Sequence, residues 1–235
     1  MRRFRPGFVL TAAWAVATAL LLGLGSWQLA RLGWKNELLA RAEAALSAPA
    51  EPLPRVLADP PALEFRRVRA SGVYLPDTAV ALGFLVREGR PGSRLLTAFR
   101  LEDGRTVLVD RGFVPEDELA RALRRPPPGG LRELEAVVRT GRGGGWATPS
   151  PDRALPRWYA LDIEGIGRHL GLALEPVLLV LEHKDDAEPF PRPEPVVVDL
   201  PNPHLGYAAT WFGLALALTV FYILIGRRAA RETAP

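Results

Sequence analysis

Hydrophobic residues concentrate near the two ends of this 235-residue chain, and charged residues fill the part between them. Residues 7–29 form a 23-residue block without a charged side chain, and residues 205–226 form a second such block of 22 residues. Each block is long enough to cross a hydrocarbon core of about 30 Å as a helix. A buried helix of a soluble protein is the alternative, but such a helix usually keeps a polar stripe. The pattern therefore predicts two transmembrane helices.

The first block also has features of a cleaved signal peptide. Three arginines precede it, and Gly23-Leu24-Gly25 is similar to a small-x-small cleavage site. However, the apolar run is longer than the hydrophobic region of a usual signal peptide. It also continues into a helical pattern that only Pro49 and the prolines after it are expected to stop. An uncleaved anchor is therefore favoured.

The basic residues that flank the two blocks predict the orientation, since short arginine-rich segments stay on the cytoplasmic side. These residues are Arg2, Arg3, Arg5, Arg227, Arg228 and Arg231. Arg31 and Lys35 argue weakly in the other direction, but an even number of spans puts both termini on one side. We expect cytoplasmic termini at residues 1–6 and 227–235, transmembrane helices at 7–29 and 205–226, and an extracytoplasmic domain at 30–204.

The segment between the spans has short runs of alternating apolar and polar residues, which are typical of β-strands. Strands are predicted within residues 64–75, 79–87, 94–101, 106–113, 131–139 and 176–183. Asp103-Gly104 is a strong hairpin signal and predicts an antiparallel pair around it. Short helices are predicted at residues 115–125 and after Asp162, which can cap the second one. Six prolines in residues 188–203 predict an extended connector that does not fold compactly.

These patterns together predict an α+β membrane protein, in which two transmembrane helices flank a β-rich, antiparallel extracytoplasmic domain. The net charge is +4, but basic and acidic residues are interleaved, which argues against nucleic-acid binding. The absence of cysteine excludes disulfides, thiol catalysis and thiolate metal sites. No nucleophile or paired-carboxylate arrangement is recognisable, so we expect that the protein is not an enzyme.

His204 differs from the other two histidines because it stands at the outer mouth of the second span. Asn202 is placed to cap the helix there, and Pro203 suits its first turn. The partial positive charge of a helix N-terminus disfavours the imidazolium, and neutral imidazole is the form that binds metal. This histidine is therefore the candidate metal ligand of the chain.

Helical spacing groups aromatic and charged residues near that histidine. The groups are His204, Tyr207 and Trp211 on the second helix, and Trp27, Arg31 and Trp34 at matching depth on the first. If the helices pack together, this set offers an imidazole for iron, rings for a porphyrin face and a guanidinium for a carboxylate. The alternative is an ordinary aromatic belt at the membrane surface, and spacing alone favours the belt.

Four segments resemble the surfeit-locus-one family in order and spacing. They are WQLARLGWKNELL, VDRGFVP, RWYALD and PNPHLGYAATWF, and the resemblance runs from about Trp14 to Arg228. Members of this family are assembly factors for haem-copper cytochrome c oxidase. The resemblance implies a chaperone of the bacterial inner (plasma) membrane that helps to place haem a in the large catalytic subunit. It also implies that subunit, and further the enzyme that makes haem a, as partners.

Within the family the histidine of the second-span motif has been proposed as a haem ligand, and that position is His204 here. The chain departs from the common family pattern at Asn202-Pro203-His204, where members have Asn-Asn-His, and at Arg111-Gly112-Phe113, where they have Arg-Gly-Trp. We expect Arg111-Gly112 to serve structure, with glycine in a bulge or tight bend and arginine in a buried or interfacial pairing. A scaffold that docks the oxidase without binding haem, and a membrane enzyme, are the alternative functions.

Overall fold

The computed structural model describes residues 7–141, 143–145, 148–152, 155–183, 189–198 and 202–232, with side chains up to residue 228. The chain divides into two compact units. A helical unit is formed by Met1–Arg41 with Asp199–Pro235, and a sheet-rich unit is formed by Ala42–Val198. The arginines at positions 2, 3 and 5, on which the predicted orientation depends, lie outside the described residues.

Two long apolar helices form the helical unit. Helix α1 spans Phe8–Ser47. The second long helix spans His204–Glu232 and is numbered α4, because two short helices, described below, precede it in the chain. Both contain stretches whose length and mean hydropathy, 2.0 and 2.1, would suit a membrane-spanning helix. As predicted, α1 continues well beyond the apolar block and ends before Pro49, whose ring cannot extend a helix.

The sheet-rich unit has, in its described part, eight strands and two short α-helices. The strands are β1 (Glu51–Pro52), β2 (Arg67–Tyr74), β3 (Val80–Arg87), β4 (Arg90–Leu101), β5 (Thr106–Pro115), β6 (Arg132–Thr140), β7 (Arg157–Trp158) and β8 (Val177–Leu181). The helices are α2 (Glu116–Arg124) and α3 (Ile163–Leu170). The six predicted strands and both short helices are confirmed. The Asp162 carboxylate caps α3 as predicted, by accepting a hydrogen bond from the Gly165 amide at 2.9 Å.

All strands belong to one sheet with the order β1-β2-β6-β8-β5-β4-β3-β7. Because β2 also pairs with β4, the strands β2, β6, β8, β5 and β4 close into a ring. The β4–β5 hairpin is antiparallel, as predicted. The prediction of an antiparallel domain is confirmed for five of the eight strand pairings in the described residues. It is wrong for the other three, since β1–β2, β3–β7 and β5–β8 are parallel. The chain between β5 and β8 is long enough to cross over, which parallel pairing requires.

Alternating residues of the five ring strands fill the ring with apolar side chains. Fully or almost fully buried members include Val68, Phe99, Val109, Leu134 and Leu179. On the opposite face of the strands, α3 contributes Ile166 to a second cluster. Helix α2 contributes Leu119 to a third cluster, together with Leu95 and Val114. Burial of one such side chain is worth about 1.5–3 kcal/mol, so these clusters are the main stabilising feature of the unit.

The proline-rich segment after β8 packs on the sheet where it is described. Phe113 and Arg192 exchange two main-chain hydrogen bonds of 2.8 Å. Glu194 contacts the guanidinium of Arg87 at 2.8 Å and that of Arg94 at 3.7 Å. The prediction of a connector that does not fold compactly is therefore wrong for residues 189–198, because backbone bonds and ion pairs hold this extended segment on the domain.

Arg111 and Gly112 form a bulge, in which two residues of β5 lie opposite one residue of β4. Gly112 has a φ of +118°, and a Cβ at this position would lie 2.2 Å from the carbonyl oxygen of Arg192. Arg111 is buried, with its guanidinium carbon 5.3 Å from the ring centre of Tyr74. The structural role predicted for this dipeptide is confirmed.

Gly112→Ala is expected to lower the free energy of unfolding by about 2 kcal/mol or more, because the methyl group strains a positive φ and displaces Arg192. Chemical denaturation of the purified chain measures this loss. Gly104→Ala is the matched control, since Gly104 also has a positive φ, +88°, but a Cβ there would meet no atom within 4 Å. Equal losses in the two variants would contradict the role assigned to the Arg192 contact.

Candidate functional site

The two long helices of the helical unit pack along a continuous seam. The covered positions of α1 repeat at alternating intervals of three and four residues: Thr11, Trp14, Thr18, Leu21, Gly25, Gln28, Leu32 and Lys35. Those of α4 follow the same rule: His204, Ala208, Trp211, Ala215, Leu218 and Tyr222. This spacing is the heptad signature of two helices that supercoil around each other. The helices run antiparallel, because the start of α1 contacts the end of α4.

Close contacts bind the seam along its length. Near the start of α1, the rings of Trp14 and Tyr222 stack with centroids 4.5 Å apart. The Trp14 indole donates a hydrogen bond to the Thr219 hydroxyl at 3.3 Å. Further along, a Cβ on Gly25 would lie 2.7 Å from the ring of Phe212, so only glycine admits that ring. Small residues at such positions let helices approach closely.

His204 lies at the other end of this seam and is held by a residue of α1. Its Nδ1 atom is 2.7 Å from Oε1 of Gln28. Its Nε2 atom is buried, and it has no hydrogen-bond partner among the described residues. The site therefore presents an oriented imidazole with one ring nitrogen engaged and the other unused.

Asn202 does not cap the helix as predicted. Its amide nitrogen instead donates a hydrogen bond to Oδ1 of Asn36 at 2.8 Å, and its own Oδ1 has no partner in the described part of the chain. The carbonyl of Pro203 accepts a bond from the Tyr207 amide at 3.3 Å, so Pro203 does take part in the first turn. Asn202 thus joins the two helices where a cap was expected.

The other predicted site residues do not all face His204. Trp211 shares the seam with it and is half-buried. Trp27 and Tyr207 are 59% and 55% exposed, so their rings lie on the outside of the helix pair. Arg31 is exposed as well, and its guanidinium carbon lies 4.0 Å from the ring centre of Trp34. The predicted enclosure by aromatic rings from both helices is therefore not formed in this packing.

Gln28 is the functional candidate that sequence reasoning missed. The signal was present, because Gln28 is a polar residue inside an apolar block and lies three residues after Gly25 in the seam pattern. The predicted site residues of α1 were chosen by the spacing of its aromatic side chains, and that spacing follows the face of α1 that points away from α4. Grouping the α1 residues by the three-and-four repeat selects the covered face, which contains Gln28.

The sheet-rich unit contains a separate cluster of charged side chains. Asp110 is buried in an ion pair with Arg94 and accepts a hydrogen bond from the Gly112 amide at 2.9 Å. Burial raises the pKa of Asp110, and the positive charge of Arg94 opposes that rise. Since Arg94 also approaches Glu194, the cluster joins β4, β5 and the proline-rich segment, which is a structural use of its charges.

A cleft of about 250 Å³ lies between β3 and the proline-rich segment. Its lining includes Arg87, which pairs with Glu194, and Arg192, which lies 3.7 Å from Glu88. These charges are engaged with one another and do not converge on the empty space as a catalytic pair would.

Comparison with known proteins adds to these observations. A sequence profile described as the SURF1 family matches residues 15–216, which is most of the chain. The chain belongs to the SURF1 family. The matched region includes nearly the whole helix seam and the entire sheet-rich unit.

Individual SURF1-family proteins are similar over nearly their full lengths. Surfeit locus protein 1 of Takifugu rubripes is 30% identical over 221 residues, which cover 87% of this chain and 91% of the relative. A SURF1-like protein of Monosiga brevicollis is 29% identical, with 94% and 89% covered. A SURF1-like protein of the bacterium Rickettsia conorii is 28% identical, with 91% and 89% covered.

Gly25→Leu is expected to separate the two helices of this SURF1-family chain, because a side chain there would occupy the place of the Phe212 ring. Asn36→Cys with Asn202→Cys provides a reporter, since the chain has no cysteine and the two amides are in contact. The yield of cross-link with a short bifunctional thiol reagent should fall several-fold. Gly23→Leu is the matched control, because no atom lies within 4 Å of a Cβ there. An unchanged yield in Gly25→Leu would contradict the packing.

Proposed function

We propose that this protein is a membrane-bound assembly factor for haem-copper cytochrome c oxidase, which transiently holds haem a and helps to deliver it to the large catalytic subunit. The observation that carries the proposal is the His204 imidazole, with a bonded Nδ1 and a buried Nε2 that has no partner in the described residues. Family membership supports the oxidase-assembly part of the proposal.

The outward faces of α1 and α4 support a location in the membrane. Large apolar side chains point away from the seam, among them Leu20 at 64% exposure and Leu216 at 67%. A helix pair in water would place polar residues on this outer face. In the proposed topology both termini are in the cytoplasm and the sheet-rich unit is outside. The outward rings of Trp27 and Tyr207 then lie at headgroup depth, where such rings are common.

The donor set at His204 suits a haem better than a bare metal ion. No cluster of three or more metal-binding side chains is found in the described residues, so the protein offers a single imidazole. A porphyrin supplies four nitrogen ligands itself and needs only an axial one. His204 would hold the iron and Arg31 would pair with a propionate. Trp211 would contact the macrocycle from the seam, whereas the rings of Tyr207 and Trp27 would contact it only after turning inward from the outer face.

In this proposal the protein is a carrier and not an enzyme. Its partners are the large catalytic subunit of the oxidase, the enzyme that makes haem a, and the lipid bilayer. The second candidate is a membrane scaffold that docks the nascent oxidase without binding haem. The outward direction of Trp27 and Tyr207 and the tight Gly25–Phe212 contact favour that candidate, because they leave the rings to lipid and the seam closed.

Cysteine labelling tests the proposed topology. Leu131→Cys lies on the sheet-rich unit, and Arg228→Cys lies near the end of α4. A membrane-impermeant maleimide added to cells with a permeabilised outer membrane should label the first variant and not the second until the inner membrane is opened. Labelling of both variants in intact inner membranes, or of the second alone, would contradict the orientation.

The His204→Ala variant tests haem binding. Protein purified in detergent from cells that make haem a should show a Soret band, and this substitution should reduce the band at least tenfold because it removes the iron ligand. His183→Ala is the matched control, since that imidazole is exposed in the sheet-rich unit and should leave the band unchanged. If wild-type protein lacks the band but still co-purifies with the oxidase, the scaffold function is supported and the haem-carrier function is contradicted.

A further inference from the structure

The contact between Gln28 and His204 determines which ring nitrogen carries the proton. Oε1 of an amide has no hydrogen and can only accept, so at 2.7 Å the Nδ1 atom of His204 must donate. A neutral imidazole has one N–H group. Nε2 is therefore left with its lone pair, which is the form in which a ring nitrogen can bind a metal.

We propose that Gln28 is a positioning residue that holds His204 as the Nδ1–H tautomer and leaves Nε2 as the atom that would bind a haem iron. The role of this tautomer in binding haem rests on the proposed haem-carrier function. The hydrogen bond and its effect on the position of the ring proton do not depend on that function. Metal-binding histidines usually donate their second ring N–H to an acceptor, which fixes both the tautomer and the ring plane. Gln28 supplies that acceptor from the opposite helix of the seam.

The position of Gln28 suits such a role. Its side chain leaves α1 from the covered face, between Gly25 and Leu32 of the seam repeat, so the packing of two helices restricts it. Because Gln28 is part of a rigid helix, its amide oxygen keeps a constant position relative to the His204 ring. An amide also adds no charge, and it therefore orients the ring without drawing a second proton to it as a carboxylate would.

If the role is purely structural, the contact is an ordinary interhelical hydrogen bond, which contributes only modestly to helix association in membranes. The seam offers a matched comparison, because Asn36 and Asn202 form a polar contact of similar length, 2.8 Å, without involving His204. Loss of either contact would weaken helix packing. Only loss of the Gln28 contact would change the tautomer of His204, so the tautomer is the readout that separates the two roles.

Nitrogen-15 NMR of the full-length, haem-free chain in detergent, labelled at histidine, measures the tautomer directly. The three histidines give three pairs of ring nitrogens, and His204→Ala identifies the pair of interest by its loss. The wild type should show a proton on Nδ1 of His204 and none on Nε2. Gln28→Leu should shift the proton to Nε2 in a large part of the molecules. Asn36→Leu should leave the tautomer unchanged.

Haemin titrations followed at the Soret band then measure how much this tautomer contributes to haem binding. Gln28→Leu should weaken binding about 10–100-fold, as loss of an outer-shell partner does at other histidine-metal sites. Asn36→Leu should change binding less than about twofold.

Four results would discriminate between the claims. A wild-type His204 with its proton on Nε2, or a tautomer that Gln28→Leu does not change, would overturn the inference. The expected tautomer in a wild-type chain that binds no haemin would support the hydrogen-bond assignment and overturn the carrier function. Equal losses of haemin binding in Gln28→Leu and Asn36→Leu would show a packing role alone and would also overturn the inference.

Discussion

The register of α1 against α4 is the constraint on which the candidate site depends. Their contacts run from Thr11 with Tyr222 at one end to Asn36 with Asn202 at the other. A slip of one helical turn would move any residue by about 5.4 Å and would take the Gln28 amide out of reach of His204. The place of the imidazole is therefore not a local property of the PNPH segment. It is set by packing along the whole pair of helices.

In each of the two units, a glycine lets two segments of the chain approach closely because it has no side chain. In the helical unit, Gly25 admits the ring of Phe212, and in the sheet-rich unit Gly112 admits the backbone of Arg192. Both partners are distant in sequence, so each glycine determines a tertiary contact and not only a local bend. Gly112 also needs its positive φ, whereas at Gly25 the requirement is space alone. The same residue type thus meets two different physical demands in one chain.

The elements of this fold could largely be predicted from local pattern, but their arrangement could not. Period-two alternation and the Asp103-Gly104 turn are sufficient for the β4–β5 hairpin, because both features are encoded by neighbouring residues. The parallel pairing of β5 with β8 depends on a long crossover, and no local residue specifies it. The bound proline-rich segment was missed for a related reason, since its partner, Phe113, lies about eighty residues earlier.

The candidate site shows the same division between local and tertiary information. Residue type and the start of a helix were sufficient to select His204. The choice among Trp27, Gln28 and Arg31 depended on which face of α1 is covered, and ring-bearing residues were given too much weight. The three-and-four repeat of small and apolar residues was the better guide, because it reports packing directly.

Unsatisfied polar atoms are distributed unevenly along the seam. Near the start of α1, Thr11, Trp14, Thr219 and Tyr222 are joined by hydrogen bonds, and that end is polar but saturated. In the described residues of the helical unit, the buried unpartnered atoms are Oγ1 of Thr18, Oδ1 of Asn202 and Nε2 of His204, and two of these three lie at the start of α4. A buried polar atom without a partner destabilises the packed state. The end of the seam that holds His204 is therefore the end where a ligand has most to gain, and also the end where parting the helices loses least.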